Sequence, residues 1–165
     1  NGSIKLLSEI GIGTEFRVYL PLLRDAPQEP LEVDSERVLE PRTLRPVLAI
    51  DDDEDVLAIT VVMLEQCGLE VAAFLSGDEA VAELMQRPDR YSCAIVDLTM
   101  AVKDGVSVTR ELRQIVPDLP VLFVSGYSKE QAAELVATNE STQFLRKPFR
   151  VEALNRALGQ LLSGQ

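Results

Sequence analysis

VLAIDDDEDVLAI, residues 47–59, sets four apolar side chains directly before five consecutive acids. Like charges repel, and the inner end of a strand is a costly place to gather them. A solvated helix start would explain the acids, and so would a site for a cation. The surrounding pattern decides which. CAIV at 93–96 and VLFV at 121–124 repeat the unbroken apolarity of VLAI, separated by longer stretches of helical period. Runs that are apolar at every position suit parallel strands covered on both faces. Weaker strands fit LEVAAF at 69–74 and TQFL at 142–145. The spacing predicts a first helix from Val56 to Cys67, with Val56, Ile59, Met63 and Cys67 on its inner stripe and Gly68 as its stop. A last helix presents Val151, Leu154, Leu158, Leu161 and Leu162. Five strand–helix units in about 120 residues imply a doubly wound α/β sheet with helices on both faces.

Composition narrows the chemistry. Of 165 residues 46% are apolar, enough for one substantial core, and no apolar run is long enough to span a bilayer. The chain begins at Asn1 rather than Met, so it reads as a piece of something longer, without a signal peptide. Sixteen basic against 27 acidic residues leave a net charge of -11, which disfavours nucleic acid and anionic membranes. It favours divalent cations or basic protein surfaces. Cys67 and Cys93 lie in apolar surroundings and read as reduced core thiols of a cytoplasmic protein. There is no histidine, which removes Ser-His and Cys-His catalysis, histidine-ligated zinc and phosphohistidine from this chain.

In an open parallel sheet, sites form beyond the carboxyl ends of the strands. Asp51 and Asp52 follow the first strand of the series, and Asp97 ends the third. If those strands are neighbours, three carboxylates converge, and a hard divalent cation such as Mg²⁺ relieves their repulsion. Ser125 ends the fourth strand and Lys147 follows the fifth. A metal, a lysine and a hydroxyl around a carboxylate make a site for a phosphoryl group, with the carboxylate as nucleophile.

The anchors DD at 51–52, D at 97, DG at 104–105, S at 125 and KPF at 147–149, in that order, resemble the receiver domain of two-component response regulators. The resemblance spans residues 47 to 162. It implies the flavodoxin-like strand order 2-1-3-4-5. It implies Asp97 as phosphoacceptor, and Asp51, Asp52, Asp97 and the carbonyl of Thr99 as Mg²⁺ ligands. Lys147 becomes the phosphate-contacting lysine, with Ser125 and Phe144 as the switch pair. It also implies a cis Lys147–Pro148 bond. The donor would be a histidine kinase or a histidine phosphotransfer domain carrying phosphohistidine. The switched surface would be that of the fourth and fifth helices of the series and the strand between them, and a homodimer is compatible with it. Two positions, Thr99 and Tyr127, border the path of attacking water in this family, and the bulk of Tyr127 is expected to slow hydrolysis. Ala101 stands where proline commonly follows the methionine, which suggests a looser loop. Asp53, Glu54 and Asp55 are then left to start the first helix, where the dipole favours each by roughly 0.3–1 kcal/mol.

Residues 1–23 read as a β-hairpin, with Phe16, Val18 and Leu20 alternating with Glu15, Arg17 and Tyr19, and with Gly11 and Gly13 around the turn. SEIGIGTEFRVYLPL resembles the closing strands of the histidine-kinase ATPase domain, where Gly11, Gly13 and Thr14 match a glycine-rich box near the ATP phosphates. Residues 24–46, with four prolines among their charges, read as a linker in which VDSERVLE has the makings of a helical turn. The receiver occupies 47–165. The order ATPase remnant, linker, receiver is that of a hybrid histidine kinase. A lone two-stranded hairpin buries little, so it is expected to be disordered, to fold over the receiver or to pair through its edge. Two rival readings stand beside this one. In a haloacid-dehalogenase-like phosphatase, Asp51 and Asp53 would form a DxD with Asp51 as nucleophile. A non-phosphorylated interaction module would keep the fold alone.

Overall fold

The computed structural model describes residues 3–9, 11, 13–19, 45–126 and 141–163. The chain divides into two units, Asn1–Ser35 and Glu36–Gln165. In the first, β1 (Ser3–Glu9) and β2 (Gly13–Tyr19) pair antiparallel in a register running from Ser3↔Tyr19 to Glu9↔Gly13. Gly11 and Gly13 take positive φ values of 84° and 136°, which side chains with a Cβ avoid, so the reverse turn falls where these glycines stand. Pairs Ile4↔Val18 and Leu6↔Phe16 share one face of the ribbon, and all four side chains are exposed. The expected hairpin is therefore formed over residues 3–19. Leu20, the linker from 24 to 44 and its VDSERVLE segment lie outside the described residues.

The second unit holds β3 (Val47–Ile50), α1 (Glu54–Gln66), β4 (Val71–Phe74), α2 (Gly77–Gln86), β5 (Cys93–Asp97), α3 (Gly105–Ile115), β6 (Val121–Ser125), β7 (Thr142–Arg146) and α4 (Val151–Leu162). The five strands are parallel, in the order β4-β3-β5-β6-β7, which is the expected 2-1-3-4-5. Every residue of β3, β5 and β6 is buried, which explains their unbroken apolar runs. Side chains alternate across the pleat. Leu48, Ile50, Val96 and Phe123 meet α2 and α3, whereas Val47, Ala49, Ile95 and Leu122 meet α1 and α4. Edge strand β4 is only half-buried, so its apolar signal was weaker.

Helix α1 departs from its expected stripe. Its buried residues are Leu57, Thr60 and Leu64, while Ile59 is 57% exposed and Val56 and Met63 are half-buried. Of the expected stripe, only Cys67 just past the helix is buried. The helix is apolar on two sides, and buried Thr60 hid the inward one. Its stop is as expected. Gly68 adopts φ 79°, the Gly68 N–H donates to the Glu65 carbonyl and the Leu69 N–H to the Leu64 carbonyl. This paired closure of the last turn needs the left-handed glycine between them. Arg45 and Pro46, read as the end of the linker, are fastened to this unit, since Ser92 Oγ and N–H donate to their respective carbonyls. The segment 127–140, where the fourth helix of the series and Tyr127 were expected, lies outside the described residues.

Candidate functional site

Register brings the site residues together. Ile50 is paired with Val96, so Asp51 leaves β3 beside Asp97 at the end of β5. Asp97 is paired with Val124, which puts Ser125 one step further along β6, and Ser125 is paired with Arg146, one residue before Lys147. Four adjacent strands thus deliver Asp51, Asp97, Ser125 and Lys147 to one edge, at the crevice where the chain changes direction across the sheet.

The geometry is tight. Asp51, Asp97 and Ser125 are 4%, 5% and 3% exposed, whereas Asp52 faces solvent. Lys147 Nζ donates to Asp51 Oδ2 at 2.8 Å and lies 3.1 Å from Asp97 Oδ1. Burial works against the lysine charge, but its hydrogen bonds and attraction to Asp51 and then Asp97 outweigh that and hold its pKa above the ordinary value. The Lys147 N–H also donates to the Ser125 carbonyl at 2.7 Å, and the Lys147–Pro148 bond is cis, as the resemblance implied. Thr99 Oγ1 is 3.5 Å from Asp97 Oδ2, and Phe144 stacks on Phe123 with ring centroids 5.5 Å apart.

Each of Asp51, Asp52 and Asp97 offers one carboxylate oxygen within 4.8 Å of the others. Lys147 compensates only part of their charge. An all-oxygen, carboxylate-rich cluster with one solvent-facing member fits a small hard cation that keeps some of its waters. The rest of the acid run is otherwise occupied. Asp53 caps α1, accepting from the N–H groups of Asp55 and Val56 at 3.0 and 3.1 Å, and Glu54 and Asp55 lie in its first turn. The run is therefore divided, with Asp53, Glu54 and Asp55 at the start of α1 and Asp51 and Asp52 in the acid cluster. An Asp53 committed to the helix cap is poorly placed as a second catalytic acid, so the phosphatase reading gains no support.

Three features of the loop after β5 were missed in the sequence. The DG pair was recognised as an anchor without its physical reason. Asp104 caps α3 by accepting from the Ser107 N–H, and a Cβ on Gly105 would lie 2.3 Å from the Asp97 carbonyl oxygen. Only glycine permits that approach. The Ala101 N–H donates to Asp52 Oδ2 at 2.6 Å, so the loop expected to be loose is tied to the acid cluster. Lys103 Nζ fastens the same loop to Asp78 of α2 and Glu111 of α3 at 2.7 and 2.5 Å. The missing proline at 101 was the signal for the first of these ties. No sequence signal marked Lys103.

Comparison with known proteins places the chain in a family. The pattern described as response regulator receiver domain matches residues 47–159. The sensor kinase CckA of Brucella abortus is 31% identical over 170 residues, covering 99% of this chain but 18% of that protein. The response regulator receiver protein CpdR of the same organism is 27% identical over 119 residues, covering 72% of this chain and 98% of that protein. A crystal structure of a response regulator receiver domain protein from Clostridium thermocellum superposes with a TM-score of 0.65 at 27% identity, covering 73% of this chain and 95% of that one. Sheet order, strand-end acids and these matches agree: the chain belongs to the response regulator receiver domain family of two-component signalling.

Proposed function

We propose that Asp97 is the phosphoacceptor of a Mg²⁺-dependent phosphorelay. The observation that carries this reading is the meeting of Asp51, Asp52 and Asp97 with Lys147 bridging two of them. An Asp97 carboxylate oxygen attacks the phosphorus of a phosphohistidine. The O–P bond forms as the P–N bond breaks, and the electron pair stays on the imidazole nitrogen, which takes up a proton from solvent. Lys147 neutralises an oxygen of the transferring group, and the Ser125 hydroxyl donates to another. Asp51, Asp52 and Asp97 with the Thr99 carbonyl would hold Mg²⁺, which when bound neutralises phosphoryl charge. Movement of Ser125 towards the acyl phosphate lets Phe144 repack and alters the surface around β7. Thr99, whose hydroxyl lies near Asp97, is assigned a part in setting the lifetime of the phosphoryl group; Tyr127, expected to share that part, lies outside the described residues.

With no histidine in the chain, the phosphohistidine belongs to another segment or protein. A hybrid histidine kinase is the favoured parent. The similarity to the sensor kinase runs through the hairpin as well as the receiver, whereas the match to CpdR covers only 72% of the chain. The hairpin, with its one apolar face, is then the closing edge of an ATPase domain. An apolar strip of Ala58, Ile59, Val62 and Met63 on α1, with Val151 beside it, offers a helical phosphodonor a docking surface. Among the described residues no helix is long and apolar enough to cross a membrane.

Mass spectrometry after incubation with acetyl phosphate and Mg²⁺ tests the chemistry. One phosphoryl group on the peptide carrying Asp97, absent without metal and in Asp97→Asn, is the expected result. Label on Asp51 with turnover of phosphate would overturn it, and so would absence of label with both acetyl phosphate and a phosphohistidine donor.

A further inference from the structure

We infer that the backbone N–H of Ala101 is a positioning element for the cation site, acting through Asp52. The inference rests on the Mg²⁺ reading above and extends it to a residue that touches neither metal nor phosphate. Each acid of the cluster is held differently. Asp51 accepts from the Asp53 N–H at Oδ1 and from Lys147 at Oδ2, and Asp97 is held by Lys147 with Thr99 nearby. Asp52 is exposed, and among the described residues its carboxylate has one hydrogen bond, from Ala101 to Oδ2 at 2.6 Å. A freely rotating surface carboxylate loses rotamer entropy when it ligates a metal, and a fixed donor on one oxygen removes part of that cost while leaving the other oxygen free. Hydrogen bonds to ligating carboxylates typically matter by about 10–100-fold in affinity.

The donor is itself held. Lys103, two residues on, is clamped between Asp78 and Glu111, and Gly105 lies against the Asp97 backbone with its N–H on the Leu98 carbonyl. The loop is therefore fixed to α2, α3 and β5, and through Ala101 it fixes Asp52. A proline at 101 has no N–H and could not make this bond.

The test compares Mg²⁺ affinity of the full chain by calorimetric titration for the parent, Ala101→Pro and Ala101→Gly. Proline should weaken binding about 10-fold while glycine, which keeps the N–H, stays within about twofold of the parent. Proline binding as tightly as the parent or tighter overturns the inference. Equal weakening by glycine overturns it too, because the methyl group rather than the N–H would then be responsible. A parent that binds no Mg²⁺ removes the metal reading and this inference with it, which separates the two failures. A metal-free measurement covers the case of a proline variant that does not fold. The Ala101 amide proton should resonate downfield and move upfield in Asp52→Ala, and an unmoved resonance contradicts the hydrogen bond.

Discussion

Two sets of aspartates lie within a few residues of each other and live under opposite conditions. Asp51 and Asp97 end strands and are buried, facing one another across a single lysine. Asp53 and Asp104 start helices, and each accepts backbone N–H groups that the helix would otherwise leave without partners. The helix-starting acids stabilise the fold and take no part in the proposed chemistry. The strand-ending acids concentrate negative charge that the fold alone leaves incompletely compensated, which makes them receptive to a cation and then to a phosphoryl group. Substitution in the two sets should therefore separate stability from function.

The largest effect should come from the lysine that serves the strand-ending pair. Lys147→Met is expected to slow labelling of Asp97 by acetyl phosphate by about 100-fold or more, the usual cost of removing one stabilising donor from a transferring group. A rate within a few fold of the parent would dissolve the distinction. Gly105→Ala tests the backbone beneath Asp97. Forcing a Cβ against the Asp97 carbonyl should cost about 2–3 kcal/mol in denaturant unfolding, the scale of overpacking elsewhere. On the helix-starting side, Asp53→Ala and Asp104→Ala should each lose about 1 kcal/mol, with Mg²⁺ affinity unchanged by titration. The Asp104 loss has a pH signature. The backbone N–H of Ser107, with its hydroxyl, holds the Asp104 carboxyl below its ordinary 3.8, so its contribution is present above that value. It disappears as pH falls through the depressed folded value, and an acid titration of Asp104→Ala should lack that limb. The smallest effect has the opposite sign. Asp52→Asn, which relieves repulsion, should raise metal-free stability by about 0.5 kcal/mol in the same unfolding assay while weakening Mg²⁺ binding.

Legibility in the sequence followed the same division. Strands buried on both faces write themselves as unbroken apolar runs, so β3, β5 and β6, and with them the positions of Asp51, Asp97 and Ser125, could be read directly. The split of the acid run between the strand-end cluster and the helix cap was readable because a helix start has its own chemistry. Helix α1 misled because Ile59 and Val62 are apolar and exposed while Thr60 is buried, so periodicity alone favoured the wrong side. The loop after β5 was hardest. Its ties run through a backbone N–H at Ala101, which side-chain identity does not display, and through Lys103, whose partners lie 25 and 8 residues away.

The two cysteines carry a practical consequence. Cys67 and Cys93 are buried, and burial pushes the Cys93 thiol up to about 12 and raises Cys67 as well, so neither presents a thiolate to solvent near neutral pH. Val102, at the tip of the loop that holds Asp52, is 97% exposed. A cysteine placed there would be the one fast-alkylating thiol in the protein. A maleimide dye or spin label at that point could then report loop motion without removing either native cysteine.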